Sequence, residues 1–124
     1  MTTDFGRKVQ QLRQLAGMTL FEVAQKMNLS SAFLSAVENG RKRVPDDFVE
    51  KLGRALPEAR THADTLESMA NQARQQVVVP LPKASRQDAD LATALARKFN
   101  TLSDDQKRYI RAILDNYNPA AEDK

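Results

Sequence analysis

The chain has 124 residues, 41% of them hydrophobic and 28% charged, enough for one domain, or a small domain with an appendage, and for a modest core. It contains no cysteine, which removes disulfides, thiolate metal sites and cysteine nucleophiles together and is compatible with a reducing cytoplasm. The net charge is +3, and its whole excess falls in residues 1–56, where nine basic residues meet six acidic ones against ten of each sign in the remainder, a bias that points to an anionic partner for the first half.

In chain order, Phe5, Val9, Leu12 and Leu15/Ala16 recur at helical spacing, which predicts a first helix from Thr3 or Asp4 to Ala16, stopped by Gly17. Leu20, Val23, Ala24 and Met27 follow at i, i+3, i+4 and i+7 and share one apolar face. Thr19 and Glu22, three residues apart, form a capping box at its start. Asn28 tolerates the left-handed backbone needed to reverse the chain. Ser30 is then the next N-cap, and Leu34 and Val37 supply an apolar pair, with Leu29 packing in the turn. Ala24 is small where the two short helices must cross closely. A helix of about eight residues is not stable alone, so both must lean on neighbours. At about 1.5 Å per residue the second is roughly 12 Å long, comparable to the width of a B-DNA major groove.

The stretch from Phe5 to Gly40, with the small Ala24, the turn, Leu34 and Val37, and the closing Glu38-Asn39-Gly40 all in register, resembles the helix-turn-helix domain of phage repressor and Cro-like regulators, often called the XRE family. The similarity covers residues 5–56. It implies a Cro/repressor-like domain of four to five helices that binds double-stranded DNA through the helix around Ser30 to Glu38, with Thr19, Leu20, Ser30, Ser31, Ala32, Phe33, Ser35, Ala36 and Asn39 at the DNA. It also implies that Arg13 pairs with Glu38, tying the first helix to the end of the recognition helix. Asn28 stands where the family usually has Gly. Ser31, Ala32, Phe33, Ser35 and Ala36 stand where it often has Gln, Arg, Lys or Asn.

Directly past the recognition helix comes the basic run Arg41, Lys42 and Arg43, placed where a chain leaving the groove passes the phosphates. Pro45 suits a first helical turn, Asp46 and Asp47 suit the positive end of a helix dipole, and Phe48, Val49, Leu52, Ala55 and Leu56 form an inward face that closes a four-helix core. Residues 57–75 read as one further helix with a thin, alanine-rich side formed by Ala59, Ala63, Leu66, Met69/Ala70 and Ala73. His62, the only histidine, has no partners at ligand spacing, so no metal site and no cofactor are expected.

Residues 76–82, β-branched and ended by prolines, read as an extended linker, with a short strand pairing in a dimer as the alternative. Beyond it Leu91, Leu95 and Phe99 share a helical face over residues 88–99. Ser103 and Gln106 then form a second capping box leading to Ile110, Ile113, Leu114 and Tyr117. These make a C-terminal two-helix hairpin whose apolar residues suit dimerisation, and residues 118–124 are expected to be disordered.

The expected architecture is therefore all-α: residues 1–56 a DNA-binding domain, 57–82 a connecting helix and extended segment, 83–117 a dimerisation hairpin, and a tail. No phosphate-binding loop, metalloprotease helix or catalytic triad is present, so an enzyme is not expected. No signal-peptide pattern is readable and the longest apolar run, residues 77–81, is too short for a bilayer, so a cytoplasmic protein with no membrane partner is expected. The leading function is a homodimeric repressor reading a palindromic operator. The alternative is an antitoxin-type module that holds a protein partner and autoregulates its operon; Phe21, outside the apolar stripe of its helix, keeps it open, either packing beneath the C-terminal hairpin or, for the alternative, serving as an exposed docking site.

Overall fold

The computed structural model describes residues 2–116, so Tyr117 and the tail lie outside the described residues. Every regular element is helical, and the fold is all-α. The chain divides into two compact units, Met1–Val78 and Val79–Lys124.

The first unit holds six helices: α1 (Asp4–Leu15), α2 (Leu20–Lys26), α3 (Ser31–Glu38), α4 (Phe48–Ala55), α5 (Pro57–Thr61) and α6 (Ala63–Arg74). Four of them end in the same way, with a residue at positive φ, namely Gly17 (68°), Asn28 (60°), Gly40 (75°) and Gln75 (58°). In each, the N–H of the following residue reaches back to a carbonyl five residues earlier, as in Leu29 to Ala24 (2.8 Å) and Arg41 to Ala36 (2.8 Å). Paired bonds of this kind satisfy the last carbonyls of a helix while reversing the chain, which keeps each helix short. The starts are equally local. Thr3, Thr19 and Ser30 each accept a backbone N–H three residues on, and at Thr19 the Glu22 carboxylate completes the reciprocal box.

The core runs from Phe5, Val9 and Leu12 through Val23, Ala24 and Met27, Leu34 and Val37, to Val44, Phe48, Leu52 and Leu56. Phe5 and Phe48 meet edge to face at 5.5 Å, a favourable arrangement of the two ring quadrupoles. Leu15 does not join this core. Although it continues the stripe of α1, it stands exposed beyond the end of the packed layer, and Met18 packs there after the reversal at Gly17.

Two further expectations are corrected. Helix α4 begins at Phe48, not at Pro45, because residues 45–48 form a turn in which the Pro45 carbonyl accepts from Phe48 N (3.1 Å). Residues 57–75 are not one helix but two, broken at His62, because α5 packs on α4 while α6 packs on α1 and α4. Arg60 Nε donates to the Gly53 carbonyl at 3.0 Å and holds α5 down. These helices bury Ala59, Leu66 and Ala70, so they contribute to the first unit's core.

Residues 76–82, irregular and ending in a turn at Pro82, contain the boundary between the units, and no strand forms among the described residues. In the second unit, α7 (Arg86–Lys98) starts behind Ser85, whose hydroxyl accepts from Asp88 N, two residues earlier than its apolar periodicity suggests. A 3-10 turn, Phe99–Thr101, leads to α8 (Asp104–Asn116), which opens on the Ser103 and Gln106 box. Neither helix contains a buried residue.

Candidate nucleic-acid interface

Helix α3 is held from behind at its C-terminal end. Glu38 points inward with a side chain only 3% exposed. Its carboxylate accepts from Arg13 Nε and Nη2, both at 3.3 Å, and from Gln10 Nε2 at 3.3 Å. The Glu38 carbonyl accepts from Thr3 N at 3.2 Å and from Thr3 Oγ1 at 3.5 Å. Gly6 sits against this same carbonyl: an ideal Cβ on Gly6 would fall 1.9 Å from the Glu38 oxygen. The buried charge is thus satisfied by a fork and an amide, and α1 meets the end of α3 with no room for a Cβ at residue 6.

The opposite face of α3 is small and mostly neutral. Ala32 is exposed, while Ser31, Ser35 and Ala36 are half-buried. Leu20 and Phe33 are half-buried and pack against the core, so both bear on the scaffold before anything else. Along this face runs a short polar chain: Thr2 Oγ1 donates to Asn39 Oδ1 at 3.2 Å, and Asn39 Nδ2 donates to Ser35 Oγ at 3.4 Å. Thr19 and Ser30 are exposed at the starts of α2 and α3. Each hydroxyl accepts a helical N–H, which leaves its own proton free to donate outward. At Thr19 the box also acts on its partner. Hydrogen bonds from the Thr19 backbone and side chain, with Lys26 contributing less, hold the Glu22 carboxyl below its ordinary value.

The basic residues after α3 do not stand alike. Arg41 and Lys42 are exposed and have no ion-pair partner among the described residues, whereas Arg43 donates to Asp46 at 3.2 Å, to the Val44 carbonyl and to Gln76. Arg41 N and Lys42 N both bond the Ala36 carbonyl, so the run starts rigidly off the helix end. Its far end is fixed by Arg74, which donates to the carbonyls of Val44 (2.8 Å) and Pro45 (2.7 Å).

Thr19, Ser30, Ser31, Ala32, Ser35, Ala36, Asn39, Arg41 and Lys42 all lie in the first unit and are exposed or half-buried. Leu91, Leu95, Phe99, Ile113 and Leu114, all exposed, and the half-buried Ile110 lie in the second unit, on α7, the 3-10 turn and α8; Tyr117 is outside the described residues. Four contributors have no counterpart among the sequence-derived sites: Thr2, Gly6, Gln10 and Arg74. Thr3 carried a legible signal as a hydroxyl just before an apolar helical stripe, but the other four act through groups 28 to 37 positions away. No cluster of potential metal ligands occurs, and no helix is long and apolar enough to cross a membrane, among the described residues.

Comparison with curated proteins and with solved structures returned no match. The family described as "helix-turn-helix domain" matches residues 4–66, from the first residue of α1 into α6. The matched span is just over half of the 124 residues, and it contains α2, the turn at Asn28 and α3 entire: the chain belongs to the helix-turn-helix domain family.

Proposed function

We propose that this protein is a sequence-specific regulator of transcription that binds double-stranded DNA with α3 in the major groove, most simply as a repressor in the cytoplasm. The observation that carries this reading is α3 itself. Its inner side and C-terminal end are anchored by Glu38, Arg13 and Gly6, its outer side carries only small side chains, and shortly after it come two cations that have no ion-pair partner among the described residues. A helix so held presents its face as a rigid body, and cations beside it meet phosphates and fix its register. The outward hydroxyl protons of Thr19 and Ser30 suit phosphate oxygens in the same register.

The base readout available is modest. Reading G commonly uses Arg or Lys, and reading A uses Asn or Gln. Ser31, Ala32, Ser35 and Ala36 offer only hydroxyls and methyls, which suit thymine-containing steps, while Asn39 is already bonded to Ser35 and Thr2. Affinity then comes mainly from phosphates, and part of the selectivity from DNA shape.

One such helix contacts too few base pairs to be selective alone, which favours a homodimer on a palindromic operator. The exposed apolar residues of α7 and α8, Leu91, Leu95, Phe99, Ile113 and Leu114, support that assembly, since apolar surface of this extent gains from cover. Selection of bound sequences from random duplexes tests the function: a two-fold symmetric site with half-sites about 34 Å apart is expected. Absence of any enriched site would overturn sequence-specific binding, and light scattering that gave a single chain both free and on DNA would overturn the dimer.

A further inference from the structure

Arg74, in the last turn of α6, has a side chain that is only 5% exposed. Its guanidinium is almost fully used. Nε donates to the Val44 carbonyl and Nη2 to the Pro45 carbonyl, while Nη1 donates to Glu67 Oε1 at 3.3 Å and Asn71 Oδ1 at 3.0 Å. The last two orient the planar head from within α6, and the first two grip consecutive peptide carbonyls of the segment that leaves α3. Burying a charge with several charge-assisted hydrogen bonds is costly to disturb and therefore geometrically exact. The same segment is pinned at its other end, where Arg41 N and Lys42 N bond the Ala36 carbonyl. Between these two anchors stand Arg41 and Lys42, exposed and without ion-pair partners among the described residues, and Arg43, which reaches across to Gln76 just past α6.

We infer that Arg74 is a positioning residue for DNA binding: by holding the carbonyls of Val44 and Pro45 it fixes the direction in which the 41–43 segment leaves α3, and so presents Arg41 and Lys42 to the phosphate backbone in one ready conformation. The inference rests on the DNA-binding reading above and adds to it a group that does not itself reach the nucleic acid. Fixing the segment beforehand removes the ordering cost from the binding step. Lysine at this position keeps the charge but has no planar fork to span two carbonyls while also meeting Glu67 and Asn71.

The test compares the wild-type chain, Arg74→Lys and Arg41→Ala/Lys42→Ala on one duplex selected as above, with the slope of log K against log salt as the readout. Arg74→Lys leaves the net charge unchanged, so any fall in slope reports lost phosphate contacts and not a lost cation. We expect binding weaker on the order of tenfold, and a slope lowered by about 1 to 2 per chain. Adding Arg74→Lys to the Arg41→Ala/Lys42→Ala chain should lower the slope no further, because the contacts it positions are already gone. If Arg74→Lys does not fold, Asn71→Ala, which removes one orienting acceptor without changing charge, takes its place with the same expected direction. A variant that binds more weakly but keeps the wild-type slope overturns the inference, since a purely structural role lowers the folded fraction and leaves every phosphate contact of the folded molecules in place. A wild-type chain that binds no duplex overturns the DNA-binding reading and the inference together.

Discussion

Gly6 of α1 lies directly against the main-chain carbonyl of Glu38 at the end of α3, so close that a methyl group on Gly6 would sit 1.9 Å from that oxygen. Neither partner can yield, because both are backbone and both are inside helices anchored by other bonds. Gly6→Ala should therefore separate the two helices despite alanine's better helix propensity. The expected cost is about 3 kcal/mol, the upper part of the range for overpacking, read as a lowered midpoint in urea denaturation. Its effect on a surface helix would instead be a small gain.

Removing one member of the ion pair behind α3 strands the other. Arg13→Ala leaves a carboxylate 3% exposed with Gln10 as its remaining side-chain partner, and a loss of about 3 kcal/mol is expected, the low end for a broken buried pair because the Arg13 side chain is 15% exposed. Glu38→Gln in the Arg13→Ala background should recover part of that loss, since a neutral amide needs no counter-charge. Chemical denaturation of both single variants and the double variant measures the coupling.

Phe33 is half-buried against the core. Phe33→Ala should lower the melting temperature, by about 1 to 3 kcal/mol of stability, less than full burial of the ring would imply. A variant that melts normally but loses specific binding would show the ring acting in the groove.

Replacing Arg41, Lys42 and Arg43 together with alanine should weaken binding to every duplex and flatten its salt dependence. With about 0.9 counterion released per phosphate neutralised, Arg41 and Lys42 account for a slope change of about 2 per chain. Arg43, held by Asp46 and Gln76, should contribute less, and Arg43→Ala alone should change the slope least of the three single variants.

The box at Thr19 is sensitive to acid. Because hydrogen bonds from Thr19 hold the Glu22 carboxyl below its ordinary value of 4.5, its contribution to stability is present above that value and is lost as pH falls through the lower folded-state value. Glu22→Gln keeps the box geometry and removes the titration. Thermal melts from pH 7 to pH 3 should show the wild-type advantage disappearing below about pH 4.5, whereas an equal pH dependence in both chains would place the acid sensitivity elsewhere.

What could be read in the sequence was what is closed within a few residues. The boxes Thr19 with Glu22 and Ser103 with Gln106 are bonds between neighbours three apart, and the stripe Phe5, Val9 and Leu12 is a matter of period alone. The break at His62 was not legible, since no proline or glycine marks it; it comes from α5 packing on α4 while α6 packs on α1 as well as on α4. No local pattern marks Gly6 within α1 or Arg74 at the end of α6. Their roles depend on carbonyls of Glu38, Val44 and Pro45 that only the folded chain brings to them. In the second unit the sequence marked the helices and their start signals, but periodicity says which side of a helix is apolar and not whether anything covers it.

Val77, Val78 and Val79 are exposed, consecutive and outside any helix, the composition that in other settings seeds the stacking of strands between molecules. Pro80 and Pro82 follow at once. Having no N–H, each breaks any intermolecular ladder on the side where it falls, so pairing between chains is confined to about four residues, fewer than the six or seven that a self-propagating stack commonly needs. The two prolines thus limit how far this valine run can pair with its counterpart in a second molecule.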